Sequence, residues 1–159
     1  MKEIEGNLIT LAKHGEFDII AHGCNCFCTM GAGIAPQIKE AFPSAWAADL
    51  ETVKGDIRKL GNYTFGRHRI SNFLENDLII INAYTQYKYG ANHIDGVTKP
   101  FDYQAFTICM RKINHIYKGK RIGLPLIGSG LGGGNWEVIK AIIKTELKDM
   151  DVIIVHYKK

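Results

Sequence analysis

Four continuous apolar runs of strand length, separated by segments with helical periodicity, constrain the fold of this chain more than any other feature. The runs are DIIAHGC (18–24), LIIINAYT (78–85), RIGLPLIG (121–128) and DVIIVHYK (151–158). A continuous apolar run is typical of a strand that is buried on both faces, as in a parallel sheet covered by helices. The runs therefore predict an α/β protein.

Helices are predicted between these runs. Apolar positions recur at helical spacing in 33–42, 44–54, 101–118 and 135–149, with Ser44 and Asn135 as predicted N-caps. In segment 62–71, apolar and polar residues alternate, which is typical of a strand with one face exposed. We expect one domain over residues 1–159, with three α-β-α layers and a mixed, mostly parallel central sheet of about six strands.

Charge and composition argue against several classes of protein. The net charge is +4 with scattered basic residues, which does not form the basic stripe of a dedicated nucleic-acid binder. No segment approaches the ~20 apolar residues of a membrane span, so no membrane partner is expected. With no signal peptide visible, the four cysteines predict reduced thiols and a cytoplasmic location.

The stretch AHGCNCFCTMGAGIA (21–35) carries both a possible metal-ligand pattern and a small-residue loop. The metal pattern places one His and three Cys on alternate positions: His22, Cys24, Cys26 and Cys28. On a strand, His22 and Cys28 would lie ~20 Å apart, whereas zinc holds its sulfur ligands ~2.3 Å from one point. We therefore predict no metal, and interpret the cysteines as small buried residues that pack under the loop.

A second glycine-rich loop, LIGSGLGGGNWE (126–137), follows a predicted strand and precedes a predicted helix. Successive glycines leave backbone N–H groups accessible, and the helix N-terminus adds positive potential. The loop has neither a Walker A sequence nor the position of a Rossmann fingerprint. Two such loops at one sheet edge favour a diphosphate, and Asn25 offers an amide for ribose hydroxyls.

The order and spacing of these motifs resemble those of the macrodomain family of ADP-ribose-binding modules. The resemblance covers nearly the whole chain. The matching stretches are IEGNL (4–8), IIAHGCNCFCTMGAGIAPQIKEAFP (19–43) and LPLIGSGLGGGNW (124–136). The likeness is greatest to the small free-standing branch, which includes ADP-ribose-1''-phosphate phosphatases and ADP-ribosyl hydrolases. The resemblance implies ADP-ribose or its 1''-phosphate as ligand and no cofactor.

The resemblance also implies roles for individual residues. Asn7 stands where the family has an Asp that binds the adenine amino group, and its uncharged oxygen should accept that bond more weakly. Leu8 would touch adenine. Apart from the resemblance, either His156 or Tyr157 offers a ring that would stack on it. Asn25 would bind the distal ribose, the sugar farther from adenine, and Thr85 and Gln86 would line its pocket. The ribose and phosphates would be wrapped by Gly31, Ala32, Gly33, Ile34 and Ala35, and the pyrophosphate by Gly128, Ser129, Gly130, Leu131, Gly132 and Gly133.

The resemblance favours a phosphatase over the other activities of this branch. The ADP-ribosyl hydrolases use a Lys after the middle strand, which falls near Thr85 or Gln86 here, with Lys88 close behind. The glutamate-specific type also uses an Asp, which aligns with Gly132. His22 ends the strand before the distal loop, and an ordinary pKa of about 6.5 suits general acid–base work. We therefore predict that His22 assists hydrolysis of the terminal phosphate of ADP-ribose-1''-phosphate.

Three alternatives stay open at the level of sequence. The chain would then be a non-catalytic ADP-ribose binder, an ADP-ribosyl hydrolase acting on protein or nucleic acid, or a nucleic-acid binder that uses its net charge. We expect nucleic acid as a partner only in ADP-ribosylated form. The polar segment 87–100 is interpreted as a lid over the distal ribose that contributes to substrate choice, or as a solvated loop. Trp46, Trp136 and the other histidines are interpreted as structural.

Overall fold

The computed structural model describes residues 1–70, 77–90 and 99–158, and contains six strands and five α-helices in that part of the chain. The strands are β1 (Lys2–Gly6), β2 (Ile19–Cys24), β3 (Tyr63–His68), β4 (Leu78–Tyr84), β5 (Arg121–Leu124) and β6 (Asp151–Tyr157). The helices are α1 (Leu8–Lys13), α2 (Ala35–Ala41), α3 (Pro43–Leu50), α4 (Tyr103–Ile116) and α5 (Trp136–Glu146). A short 3-10 helix spans Ile57–Lys59.

All six strands join one sheet in the order β1-β6-β5-β2-β4-β3. Every neighbouring pair is parallel except β3 and β4, which are antiparallel. The predicted mixed, mostly parallel sheet is thus confirmed. Because β2 lies between β5 and β4, the loops that follow β2 and β5 leave the sheet side by side at its carboxyl edge.

Two hydrophobic cores cover the two faces of the sheet. Helices α4 and α5 pack on one face, where Phe106, Ile113 and Ile139 are buried against β2, β4, β5 and β6. Helices α1, α2 and α3 pack on the other face, through residues such as Ile38 and Ala45. The predicted three-layer α-β-α arrangement is therefore confirmed, and it explains why the central strands are continuous apolar runs.

Several boundaries differ from the sequence predictions for local reasons. Strand β5 ends at Leu124 because Pro125 has no N–H to donate to a neighbouring strand. Helix α2 begins only at Ala35, after Gly33 in the left-handed region at a φ of 63°. The predicted N-cap at Ser44 is wrong: α3 begins at Pro43, and the Ser44 hydroxyl donates to the Arg67 carbonyl at 2.7 Å.

Helix α1 was not predicted from the sequence. It has six residues, too few to show a helical repeat, and Asn7 caps it by accepting from the N–H groups of Ile9 and Thr10 at 3.0 and 3.1 Å. The predicted N-cap Asn135 is confirmed, since its side chain accepts from Glu137 N at 2.9 Å. In the described ranges, none of the helices is both long and apolar enough to cross a membrane.

Candidate functional site

The two glycine-rich loops converge at the carboxyl edge of the sheet and are tied to the segment after β4. Cys26 N donates to the Tyr87 carbonyl at 2.9 Å, which attaches the first loop to that segment. Residues Gln86 and Phe101 form an isolated antiparallel bridge, and Phe101 N donates to the Gly132 carbonyl at 3.0 Å, which attaches the second loop. Both loops are therefore held by backbone hydrogen bonds around one opening.

A cavity of about 500 Å³ lies between the loops. This volume is in the range of ligand pockets in proteins. Eight of the predicted ligand-binding residues line the cavity: Asn25, Gly31, Ala32, Gly33, Ala35, Gln86, Leu131 and Gly132. Seven further residues that were not predicted as ligand contacts also line it: Gly23, Cys24, Thr29, Met30, Asp49, Tyr89 and Gly90.

Both loops present runs of backbone N–H groups without a protein acceptor. In the first loop these are the amides of residues 31–34, and in the second loop those of residues 130–132; none donates to a described residue. Unpaired amides in successive residues form a concave site for an anion. Residues 31–33 of the first run and residues 131–132 of the second line the same cavity, so the arrangement suits two negative charges, one at each loop.

Some glycines of the second loop are required by packing. A Cβ on Gly128 would collide with the ring of Phe101, and one on Gly133 would come within 2.7 Å of the Lys99 side chain. Both residues also have positive φ, at 79° and 73°. A Cβ on Gly130, in contrast, would meet no atom within 4 Å. The loop thus keeps its shape against Phe101 and Lys99 while its tip faces open space.

Asn25 lines the cavity but uses its side chain within the first loop. Its Oδ1 accepts from Phe27 N at 2.7 Å, and its Nδ2 donates to the Thr29 hydroxyl at 2.7 Å. One Oδ1 lone pair and one Nδ2 proton stay available to a ligand. The interpretation of Asn25 as a ribose contact stays a prediction, and the loop bonds fix the direction in which it would present these groups.

The remaining predicted ligand contacts lie outside the cavity lining. Asn7 and Leu8 follow β1, and Gly6 pairs with Tyr157, so these residues lie together at one corner of the sheet. Tyr157 is exposed, and His156 is paired with Glu3 at 3.0 Å. The adenine contacts assigned to this corner stay predictions. The other residues outside the lining are Ile34, Thr85, Gly128, Ser129, Gly130 and Gly133.

Thr85 lies beneath the opening and is 1% exposed. Its hydroxyl oxygen has no hydrogen-bond partner among the described residues, and a Cβ on Gly23 would lie 2.8 Å from it. Lys88, considered as a shifted catalytic lysine, is exposed and does not line the cavity. Of the segment 87–100, Tyr89 and Gly90 line the cavity, while residues 91–98, including His93, lie outside the described residues.

His22 is 1% exposed and does not line the cavity. Its Nε2 donates to Asn82 Oδ1 at 2.8 Å, and the Cys24 Sγ lies 3.5 Å from the same nitrogen. Burial lowers the pKa of His22 from 6.5 to about 4, although the bond to Asn82 opposes this shift. The expectation of an ordinary pKa near 6.5 is therefore wrong, and the ring is neutral at pH 7. Its part in a reaction stays a prediction.

A continuous chain of hydrogen bonds runs from His22 to Asp49. We call its five members the buried polar chain: His22, Asn82, Thr64, Tyr84 and Asp49. Asn82 Nδ2 donates to Thr64 Oγ1 at 3.1 Å, and Thr64 Oγ1 lies 2.9 Å from the Tyr84 hydroxyl. The Tyr84 hydroxyl donates to Asp49 Oδ1 at 2.8 Å. Because Tyr84 donates to Asp49, the Thr64 hydroxyl donates to Tyr84. Every bond in the buried polar chain therefore points toward the Asp49 carboxylate.

The cysteines pack beneath the first loop. Cys24 and Cys26 form a small apolar cluster with Met30, Ala35 and Tyr84. Burial raises the pKa of the Cys26 thiol to about 11 and holds the pKa of Cys24 well above its ordinary value. Both are therefore protonated at neutral pH, which does not suit a nucleophile. Within the described ranges, no group of three or more His, Cys, Asp or Glu residues could hold a metal ion.

Sequence reasoning missed Asp49 as part of the site, although a signal was present. Ala45 and Asp49 are four residues apart and therefore share one face of the predicted helix 44–54. Ala45 is buried against the sheet, so the carboxyl group of Asp49 is directed inward with it. An acidic residue on the apolar face of a helix is unusual in a soluble domain and often marks a functional position.

Comparison with known proteins gives one sequence relative and several structural neighbours. No family model matches the chain. The chain is 37% identical to an uncharacterised 17.5 kDa protein from the tk–vs intergenic region of enterobacteria phage T4, covering 99% of this chain and 97% of the relative.

Among solved structures, the macrodomain of Thermus aquaticus DarG superimposes with a TM-score of 0.66 at 20% identity, covering 99% of this chain and 97% of that one. Thermosipho africanus DarTG in complex with ADP-ribose superimposes with a TM-score of 0.73 at 16% identity, covering 98% of this chain and 41% of that one. The chain therefore has the macrodomain fold and belongs to the same family as the 17.5 kDa protein of phage T4.

Proposed function

We propose that the cavity between the two glycine-rich loops binds ADP-ribose. The observation that carries this proposal is that residues 31–33 and 131–132, whose backbone N–H groups donate to no described residue, line one cavity. ADP-ribose carries two adjacent phosphates, and each run of amides would bind one of them. The complex of a structural neighbour with ADP-ribose supports the same ligand class.

The predicted contacts give the ligand a direction within the site. Asn25 and Gln86 would contact the distal ribose, since both line the cavity beside the first loop. Adenine would lie at the corner of the sheet where Asn7, Leu8 and Tyr157 meet. The Asn7 side-chain oxygen already accepts two backbone bonds in capping α1, so we expect adenine to add little affinity through this residue.

We further propose that the chain hydrolyses the terminal phosphate of ADP-ribose-1''-phosphate. The free amides of the glycine loops would stabilise negative charge on the phosphoryl oxygens during attack by water. The alternative ADP-ribosyl hydrolase activity is less well supported, because Gly132 stands at the position of the acidic residue and Lys88 does not line the cavity. A non-catalytic ADP-ribose binder would use the same cavity without turnover.

Two measurements on the same preparation test the proposal. ADP-ribose at about 100 times its Kd should stabilise the protein by about 2.7 kcal/mol, which for a chain of this size raises the Tm by about 5–10 °C. Chromatography should then show conversion of ADP-ribose-1''-phosphate to ADP-ribose and inorganic phosphate, with free ADP-ribose as the standard.

The outcomes separate the candidate functions. No thermal shift with ADP-ribose would contradict the binding proposal itself. A thermal shift without phosphate release would assign a binding module, if ADP-ribosylated protein and ADP-ribosylated DNA are also left intact. Release of ADP-ribose from either of those substrates would assign an ADP-ribosyl hydrolase instead.

A further inference from the structure

One carboxyl group lines the cavity, and it belongs to neither glycine loop. Asp49 lies in the last turn of α3, behind the first loop, where its backbone carbonyl accepts from the Cys28 thiol at 3.3 Å. It is the only acidic residue among those that line the cavity in the described part of the chain. Asp49 is 1% exposed, so only a small part of its surface is in contact with the cavity.

The carboxyl group of Asp49 is incompletely paired within the protein. Oδ1 accepts from the Tyr84 hydroxyl at 2.8 Å, whereas no described side chain or backbone N–H donates to Oδ2. No described Lys, Arg or His nitrogen lies within 4 Å of either oxygen. A carboxylate accepts up to about four hydrogen bonds, so most of its capacity is left for water or a ligand in the cavity.

The buried position of the Asp49 carboxylate lowers the stability of the fold. A buried carboxylate without an ion-pair partner loses more hydration than a single hydrogen bond returns. The last turn of a helix, near the negative end of the dipole, adds to the cost. A titratable group that is retained at such a cost in the wall of a ligand-sized cavity is characteristic of acid–base residues in enzymes.

We propose that Asp49 is the general base of the cavity, activating the water that attacks the terminal phosphate, with the buried polar chain holding its carboxylate in position. This inference rests on the phosphatase activity proposed above. His22 then acts as a positioning residue at the far end of the chain, not as a catalytic residue. Hydrogen bonds that all point toward one carboxylate polarise one another and fix its orientation.

The step balances with water as the only co-reactant. The water oxygen forms a bond to phosphorus while one of its protons moves to Asp49. The bond between phosphorus and the ribose 1'' oxygen breaks, and that oxygen takes the proton from Asp49 to become the hydroxyl of ADP-ribose. Asp49 returns to its carboxylate form, and inorganic phosphate leaves.

The charged surroundings of Asp49 are compatible with this task. Burial raises the pKa of Asp49, while the Tyr84 hydrogen bond and the charge of Lys59 oppose the rise. Lys59 donates to the Thr52 hydroxyl at 2.7 Å, which holds its ammonium beside the site without an ion pair to Asp49. Cys24 and Cys26 are further titratable neighbours and both stay protonated at neutral pH, while the Cys28 thiol donates to the Asp49 backbone carbonyl.

The decisive experiment compares the wild type with Asp49→Asn, Tyr84→Phe and the matched control Glu51→Gln. Asn keeps the acceptor for Tyr84 but does not take up a proton, so kcat should fall about 100-fold or more while the KM changes less than about threefold. Glu51 is exposed two residues away, and Glu51→Gln removes the same charge outside the cavity. Its kcat should equal that of the wild type.

Tyr84→Phe provides a readout that a purely structural role would not change. Removing the Tyr84 hydroxyl withdraws a bond that favours the charged carboxylate, so the pKa of Asp49 should rise further. The acid limb of the profile of kcat/KM against pH should therefore move to higher pH. The substrate phosphate titrates identically with both proteins, so the difference between the two profiles belongs to the enzyme.

The outcomes distinguish this inference from the proposed function. Normal kcat in Asp49→Asn, or an unmoved acid limb in Tyr84→Phe, would overturn the role of Asp49 and leave the phosphatase activity standing. Absence of phosphate release by the wild type would overturn both. If Asp49→Asn does not fold, the acid limb of Tyr84→Phe decides the question.

Discussion

At the scale of single residues, the buried polar chain has a titratable group at each end, His22 and Asp49. The pKa of each is shifted in the direction that favours its neutral form. Burial lowers the pKa of His22 to about 4 and raises the pKa of Asp49. Both shifts have the same physical cause, since burial disfavours charge of either sign. The two shifts change the free energy of unfolding in opposite directions as pH falls. Acid protonates His22 to a buried cation, which destabilises the fold, whereas acid neutralises the buried carboxylate of Asp49.

His22 should make folding sensitive to acid. Its pKa is lower in the folded than in the unfolded protein, so its stabilising contribution is complete above about pH 6.5 and is lost as pH falls toward 4. The difference corresponds to about 3 kcal/mol of unfolding free energy. In urea titrations at pH 7 and pH 4.5, His22→Gln should lose less stability than the wild type between the two pH values.

A control for this prediction is His115→Gln, which changes an exposed histidine at the end of α4. This variant removes a histidine outside the buried polar chain, so any change that it shares with His22→Gln does not come from burial of the ring. An equal pH response of the wild type and His22→Gln would contradict the depressed pKa of His22. Under the role assigned to it here, His22→Gln should also lose much less activity than Asp49→Asn.

At the scale of elements, the position of α3 against the sheet determines where Asp49 lies. Ser44 donates to the Arg67 carbonyl of β3, and Asn82 Nδ2 donates to the Ala45 carbonyl at 2.9 Å. A Cβ on Gly66 would collide with the backbone at Ser44 and Ala45. The first turn of α3 therefore lies so close to β3 that position 66 has no room for a side chain.

Gly66→Ala should separate α3 from the sheet. Overpacking of this kind costs about 1–3 kcal/mol, which lowers the Tm by about 3–10 °C in a chain of this size. The control is Gly130→Ala, whose added methyl group meets no atom within 4 Å and should leave the Tm unchanged. Differential scanning calorimetry measures both; equal Tm values for the two variants would contradict the proposed close contact.

The sequence predicts a strand or helix well where its apolar residues follow one clear repeat. It predicts the hydrogen-bond partners of side chains poorly. The apolar runs predicted β2, β4, β5 and β6, and the alternation at 62–71 predicted β3, because these patterns depend only on burial. The short helix α1 and the start of α3 depend on caps and on contacts with distant residues. The spacing of Asp49 from Ala45 indicates its inward face, but the hydrogen-bond partners of His22 and Asp49 depend on β3, β4 and α3 meeting, which no local pattern encodes.

At the scale of the whole molecule, the basic net charge of +4 is separate from the specificity of the cavity. The unpaired amides of the two loops are fixed dipoles, so their attraction for a diphosphate does not depend on releasing bound counterions from a long polyanion. We therefore expect ADP-ribose binding and nucleic-acid binding to respond differently to salt.

Salt titration should distinguish the two kinds of binding. Between 50 and 200 mM salt, the Kd for ADP-ribose, measured by calorimetry, should change by less than about threefold. A nucleic acid held by 6–10 phosphate contacts would lose about 10³–10⁵ in affinity over that range. An unmodified oligonucleotide is the comparison ligand. Steep salt dependence for ADP-ribose, or tight binding of the oligonucleotide, would contradict recognition by the cavity.

The hydrogen bonds that join both glycine-rich loops to residues 85–87 and 101–102 have an energetic consequence. Thr85 N donates to the Cys24 carbonyl at 3.2 Å, and Asp102 N donates to the Thr85 carbonyl at 2.8 Å, so these attachments are continuous across the sheet edge. The conformational entropy of ordering the loops is thus lost during folding, before any ligand arrives. In a preorganised site of this kind, little of the binding free energy is lost to rearrangement of the loops.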